Sequence, residues 1–153
     1  MAATVKVEGL KELEIALEQL PRSTGKAALR RVLRKAAQPV ADAATAKAPR
    51  DEGNLQASIG VGTKLTRRQR GVHKKMFKDD KASVEIFVGA GGLPQAITQE
   101  FGTVDHGPQA FLRPSWDAHK DGVLDSIKAD LWAEIEKAAK RHARKTARLA
   151  AKG

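Results

Sequence analysis

The apolar stripe in the last third of this sequence constrains the fold more than any other feature. Trp116, Val123, Leu124, Ile127, Leu131, Ile135 and Ala138 recur at helical spacing, and a stripe of that length must be buried against something. Pro114 suits the first turn of such a helix. Asp117, Asp121 and Asp125 lie in its N-terminal half and Lys and Arg gather toward its end, the order that a helix dipole favours. A second stripe, Leu29, Val32, Leu33, Ala36, Val40, Ala43 and Ala44, follows the same period, with Arg30, Arg31, Arg34 and Lys35 mostly on other faces. It predicts a helix over about 26–47, kinked at Pro39 and stopped by Pro49. Two elongated amphipathic helices exceed what a few short strands can cover, so part of their surface is expected to lie between subunits.

The remaining elements are shorter. Leu10, Leu13, Leu17 and Leu20 mark a first helix closed by Pro21, preceded by an extended TVKVE at 4–8. A polar turn around Gly53 leads to the alternation Leu55, Ala57, Ile59, Val61, read as a strand. Val84, Ile86 and Val88 form a second strand, with Phe87 on its other face and Gly89, Gly91 and Gly92 ending it. Between them, residues 64–81 hold eight Lys or Arg with little apolar periodicity, which reads as a surface loop or an irregular hairpin arm. PQAITQEFG at 94–102 fits either a strand or a two-turn helix, and Pro94 at N1, Ile97 and Phe101 four apart, and Gly102 beyond the last turn favour the short helix. The expected class is therefore α+β: two N-terminal helices, a small antiparallel sheet with a long basic hairpin loop, a short helix and a long C-terminal helix. With 153 residues the chain fits one domain, taken as 1–139. The basic tail 140–153, where the stripe thins, is expected to fray or to order on a partner.

Composition narrows the chemistry. Aromatics are only 4% of the chain, so the core must be built from Leu, Ile, Val and Ala. The absence of Cys excludes disulfides, thiol nucleophiles and Cys-ligated metals. No run of residues is apolar enough to span a bilayer, so no membrane partner is expected. His73, His106, His119 and His142 show no short ligand spacing, and Glu100, Asp105 and His106 match no HExxH or EF-hand pattern. The serines lack a nucleophile elbow and the glycines of VGTK and VGAGG lack a phosphate-loop spacing. No cofactor is expected and an enzyme is disfavoured. The formal charge of +10 makes a polyanion or an acidic protein face the natural partner. The candidate contacts are Arg67, Arg68, Arg70, Lys74, Lys75 and Lys78, with Lys64 beside them, and Lys140, Arg141, Arg144, Lys145 and Arg148 in the tail.

Three segments in order, VEGLKELEIALEQLP, AKAPRDEGNLQASI, and QEFGT followed by QAFLRPSW, together resemble the minor tail or tail-completion proteins of long-tailed double-stranded DNA phages and related prophages. The likeness covers about residues 5–125. It departs from the family at Glu52, where threonine is common, in the VDHGP stretch, and in the basic insert at 64–81. The resemblance implies a noncatalytic structural virion protein that is built in the host cytoplasm. It would complete the tail or join it to the head, as an oligomeric ring around the DNA path, beside connector or tail-tube proteins and the passing duplex. It also implies that Glu100, Phe101, Gly102 and Thr103, with Phe111, Leu112, Arg113 and Pro114, form interface turns, and that Pro49, Gly53 and Leu55 set the helix-to-strand turn. The alternative is a basic nonspecific DNA-binding or packaging accessory protein.

Overall fold

A computed structural model of the chain describes residues 10–50, 53–78 and 84–153; the alternation at 4–8 lies outside them. The elements in order are α1 (Leu10–Glu18), α2 (Arg22–Lys47), α3 (Asn54–Ser58), β1 (Ile59–Gly62), α4 (Arg67–Met76), β2 (Phe87–Ala90), α5 (Pro94–Phe101) and α6 (Leu112–Ala151). The class is α+β as expected. β1 and β2 pair antiparallel with Ile59 opposite Ala90 and Gly62 opposite Phe87.

The frame is the antiparallel pair of α2 and α6. Ala28, Val32, Ala36, Val40, Ala41 and Ala44 are buried along α2, mostly four apart, and their small side chains let the partner backbone come close. At the open end of the pair, Leu13 of α1 joins Val32, Leu131 and Ile135, flanked by Leu17, Leu20, Leu29 and Ile127. At the other end Ala44, Ala48, Leu55, Ala90, Ala96 and Phe111 form a second cluster that gathers α2, the sheet, α5 and the start of α6. Two ion pairs fix the register on the outside: Arg31 to Glu134 at 2.9 Å and Lys35 to Asp130 at 3.3 Å. Trp116 departs from the expected stripe. It is 51% exposed, while Ser115 beside it and Phe111 are the fully buried residues at this end of α6.

α2 continues through Pro39, which lies on its exposed face. A proline there loses one backbone bond where water can replace it. Three readings are corrected. The alternation at 55–61 is a strand only from Ile59 onward, since Asn54–Ser58 forms a helical turn after Gly53 at φ +78°. That turn buries Leu55 and lets the Gln56 amide donate to the Thr45 and Ala48 carbonyls at 3.1 and 3.2 Å, satisfying acceptors that the end of α2 leaves open. The second strand is likewise shorter than the alternation from Val84 suggests, beginning at Phe87 and running through Gly89 to Ala90. The basic excursion is no simple loop either: it contains α4, started by a capping box in which Thr66 Oγ1 accepts from the Gln69 N–H and the Gln69 side-chain Oε1 accepts from the Thr66 N–H.

Ala44→Leu is expected to cost about 1–3 kcal/mol by overpacking the second cluster. Ala46→Leu, on the exposed side of the same turn, should stay within about 0.5 kcal/mol of wild type. Thermal unfolding followed by circular dichroism separates the two.

Candidate functional site

The segments QEFGT and QAFLRPSW meet at one joint, where α5 ends and α6 begins. The first residues of α6 have N–H groups without intrahelical partners, and the residue before the helix, Phe111, provides no side-chain cap. Glu100, eleven residues upstream, provides it instead. Its Oε2 accepts from the Phe111 and Leu112 N–H groups at 2.8 and 3.0 Å, and its Oε1 accepts from the Arg113 N–H at 2.9 Å. The Arg113 guanidinium adds a bond to Oε1 at 3.1 Å and another to the Glu100 carbonyl at 2.9 Å. A carboxylate that is only 4% exposed is thus matched by backbone donors, a helix dipole and a cation. Burial pushes its pKa upward, but the N–H groups of Leu112, Arg113 and Phe111 and the Arg113 side chain outweigh that, and the net displacement is below the usual carboxylate value.

The chain between α5 and α6 is shaped to deliver this contact. Gly102 has φ +79°, and a Cβ there would stand 2.9 Å from the Pro108 nitrogen and 3.0 Å from the His106 carbonyl oxygen. Thr103 donates its N–H to that carbonyl, while its hydroxyl accepts from the Asp105 and His106 N–H groups and lies 2.9 Å from His106 Nδ1. The Gln109 N–H closes the excursion onto the Gln99 carbonyl at 2.8 Å. Phe111 is fully buried, and the Ser115 hydroxyl donates to its carbonyl.

The expected interface residues therefore divide. Glu100 and Phe111 are spent inside the joint, Leu112 packs against the second cluster, and Gly102, Thr103 and Pro114 set backbone. Phe101 and Arg113 face outward: Phe101 is 64% exposed and the Arg113 guanidinium lies 4.8 Å from its ring centre. Ile97 lies one turn before Phe101 on α5, and Trp116 one turn after Arg113 on α6; both are about half exposed. Val104 on the loop between the two helices is fully exposed as well, so several apolar side chains are left open to solvent around a joint whose backbone is tied by the Glu100 hydrogen bonds. Ile97, Val104 and Trp116 were missed as outward-facing residues. Trp116 fits the apolar spacing of α6, and spacing alone does not reveal that the buried side here is the one carrying Phe111 and Ser115.

Glu100, Asp105 and His106 do not assemble as metal ligands, since both Glu100 oxygens are occupied and the other two are exposed on the loop. Among the described residues no three His, Asp or Glu side chains converge on a metal-sized site.

The cations of the excursion are placed on α4. Arg67, Arg68, Arg70, Lys74 and Lys75 are exposed and fan over about 160° of the helix, while Lys78 lies beyond its end. Every residue of α4 remains at least partly exposed. The helix is held by Gln69, which donates to the Gly91 carbonyl at 3.1 Å, and by His73, which lies 3.4 Å from Glu85 and edge-on to Phe87. Met76 is 70% exposed. The tail cations lie on α6, which continues as helix to Ala151 with all residues from 139 onward exposed. No helix among the described residues is long and apolar enough to cross a membrane.

Replacing Glu100 by Gln should destabilise the fold by about 2–3 kcal/mol near neutral pH, since an amide meets a row of N–H donors with only one acceptor oxygen. The Glu100 pKa is depressed on folding, so its contribution is full above the unfolded value and fades as pH falls through the lower folded one. The gap between wild type and Glu100→Gln in urea unfolding should therefore narrow as pH falls below the ordinary carboxylate range. Gly102→Ala is expected to cost about 1–3 kcal/mol by backbone strain alone, with the Pro108 clash added; the same urea titration measures it.

A family model described as "Bacteriophage HK97-gp10, putative tail-component" matches residues 11–102. The match runs from α1 through the sheet and α5 to Gly102, and so includes Glu100 and Phe101 of the joint. Comparisons with curated proteins and with solved structures gave no match.

Proposed function

Because this chain belongs to the HK97-gp10-like family of bacteriophage tail components, we propose that it is a noncatalytic virion protein that completes the tail at its junction with the head. In this role it assembles as an oligomeric ring around the DNA path and docks against a neighbouring connector or tail-tube protein. The observation that carries the reading is the outward face of the α5–α6 joint. Phe101 and Trp116 are exposed beside Arg113, and aromatic residues with arginine are the side chains that dominate protein interfaces. Their backbone is fixed by the buried Glu100 cap, so little ordering entropy is lost when a partner covers them. The chemistry of a structural component fits the same picture, because the joint's one buried acid is committed to holding helices together.

Native mass by light scattering across protein concentration and salt tests the proposal. A discrete oligomer that survives moderate salt is expected, because an apolar contact is not screened. The double substitution Phe101→Ser with Trp116→Ser should shift it toward the 16.5 kDa monomer while leaving the circular dichroism spectrum unchanged. A wild-type chain that stays monomeric alone and in the presence of the purified connector would defeat the ring.

A further inference from the structure

The last four turns of α6 carry a feature that the joint does not use. Lys137, Arg141, Arg144, Lys145, Arg148 and Lys152 follow one another along the end of the chain. At 3.6 residues per turn these six fall within an arc of about 100°, over about 22 Å of helix, and Lys140 lies about 40° to one side of it. The side chains of Arg141, Arg144, Lys145 and Arg148 line a single hollow. No acid follows Glu136. Lys137 lies 3.8 Å from Glu134, and Arg141 reaches back to the Lys137 carbonyl at 3.4 Å and lies in the field of Glu134. Arg144, Lys145 and Arg148 have no carboxylate partner among the described residues.

We propose that this stripe is a binding site for the phosphate backbone of duplex DNA. A straight row of like charges matches a ligand whose own charges are regularly spaced and continuous, and duplex DNA presents about one negative charge per 1.7 Å of its axis. Contacts to phosphate oxygens carry no sequence information, so binding through this row is expected to be independent of sequence. The stripe contains no aromatic anchor of the kind that centres a protein interface. Leu149 is the one large apolar side chain beside it, too little to seat a helix in a bilayer. The α4 cations differ in arrangement: they spread over a wider arc on a shorter helix. The site stands apart from the tail-completion role, so the chain can bind DNA here whether or not it forms a ring.

The test is fluorescence anisotropy of a labelled duplex of arbitrary sequence, with the full chain, between about 50 and 200 mM salt. Two variants carry the same change in charge: Arg141→Gln, Arg144→Gln, Lys145→Gln and Arg148→Gln together, and Arg67→Gln, Arg68→Gln, Lys74→Gln and Lys75→Gln together. Gln keeps helix propensity close to that of Arg and Lys, and circular dichroism confirms that both sets fold. The α6 variant is expected to flatten the slope of log affinity against log salt by about three to four, four lost contacts at 0.9 each. The α4 variant is expected to flatten it by less than about one. Equal losses in the two variants would reduce the effect to net charge and overturn the site. So would an unchanged α6 variant, or displacement of the duplex by polyglutamate at equal charge concentration.

Discussion

The Glu100 carboxylate at the start of α6 is the contact on which the rest of the structure depends. It is the point where the short helix, the glycine turn and the long helix become one rigid body. Burying a carboxylate is costly unless its lone pairs are filled, and here three backbone N–H groups and a guanidinium fill them. The bond network runs both ways. It fixes the direction in which α6 leaves the small end of the molecule, and that direction lays Ile127, Leu131 and Ile135 against α1 and α2. The same network turns Phe101 and Trp116 outward.

The alanine face of α2 is the second constraint. With few aromatics available, the core gains cohesion from close backbone approach instead of bulk, and close approach requires both helices to keep their register along their length. Arg31 and Lys35 reach across to Glu134 and Asp130 from the solvent side. Such exposed pairs add little free energy. Their use is in specifying register, since a one-turn slip toward the end of α6 would set Arg31 level with Lys137 in place of Glu134. The Glu134 carboxyl is held below its usual pKa by its Arg31 hydrogen bond, which burial opposes and to which the Arg31, Lys137 and Arg141 fields add.

Helices were legible in the sequence wherever the apolar period was long or a proline and a glycine bracketed it, as at Pro94 and Gly102. α4 was not, because its apolar positions, Val72, Met76 and the following Phe77, are embedded among cations and bury almost nothing. Its signal was local and present: threonine followed three residues later by glutamine, the capping box that starts it. The helical turn at 54–58 imitates a strand because Leu55, Ala57 and Ile59 alternate, and only the demand of the α2 carbonyls for Gln56 decides otherwise. At the joint, Glu100 and the FLRP segment were visible as a motif, yet their division into a buried cap and an exposed face depends on three-dimensional placement. No spacing rule distinguishes Phe111, wholly inside, from Phe101, mostly outside.

The far end of α6 follows a different logic from its beginning. Arg31 pairs with Glu134 and Lys35 with Asp130, so continuing that register puts the start of α2 near residue 143, and the last two turns of α6 extend past it. They remain helical without a partner face because Ala, Lys and Arg are strong helix formers and because cations at a helix C-terminus are favoured by its dipole. The same dipole that draws Glu100 to one end accommodates Arg144, Lys145 and Arg148 at the other. The charge there is a consequence of neither packing nor pairing. A fold that needed only to end its last helix could do so with glutamate and lysine alternating at much lower electrostatic cost. A one-sided row of cations left open to solvent is stabilised most by a ligand that brings its own negative charge.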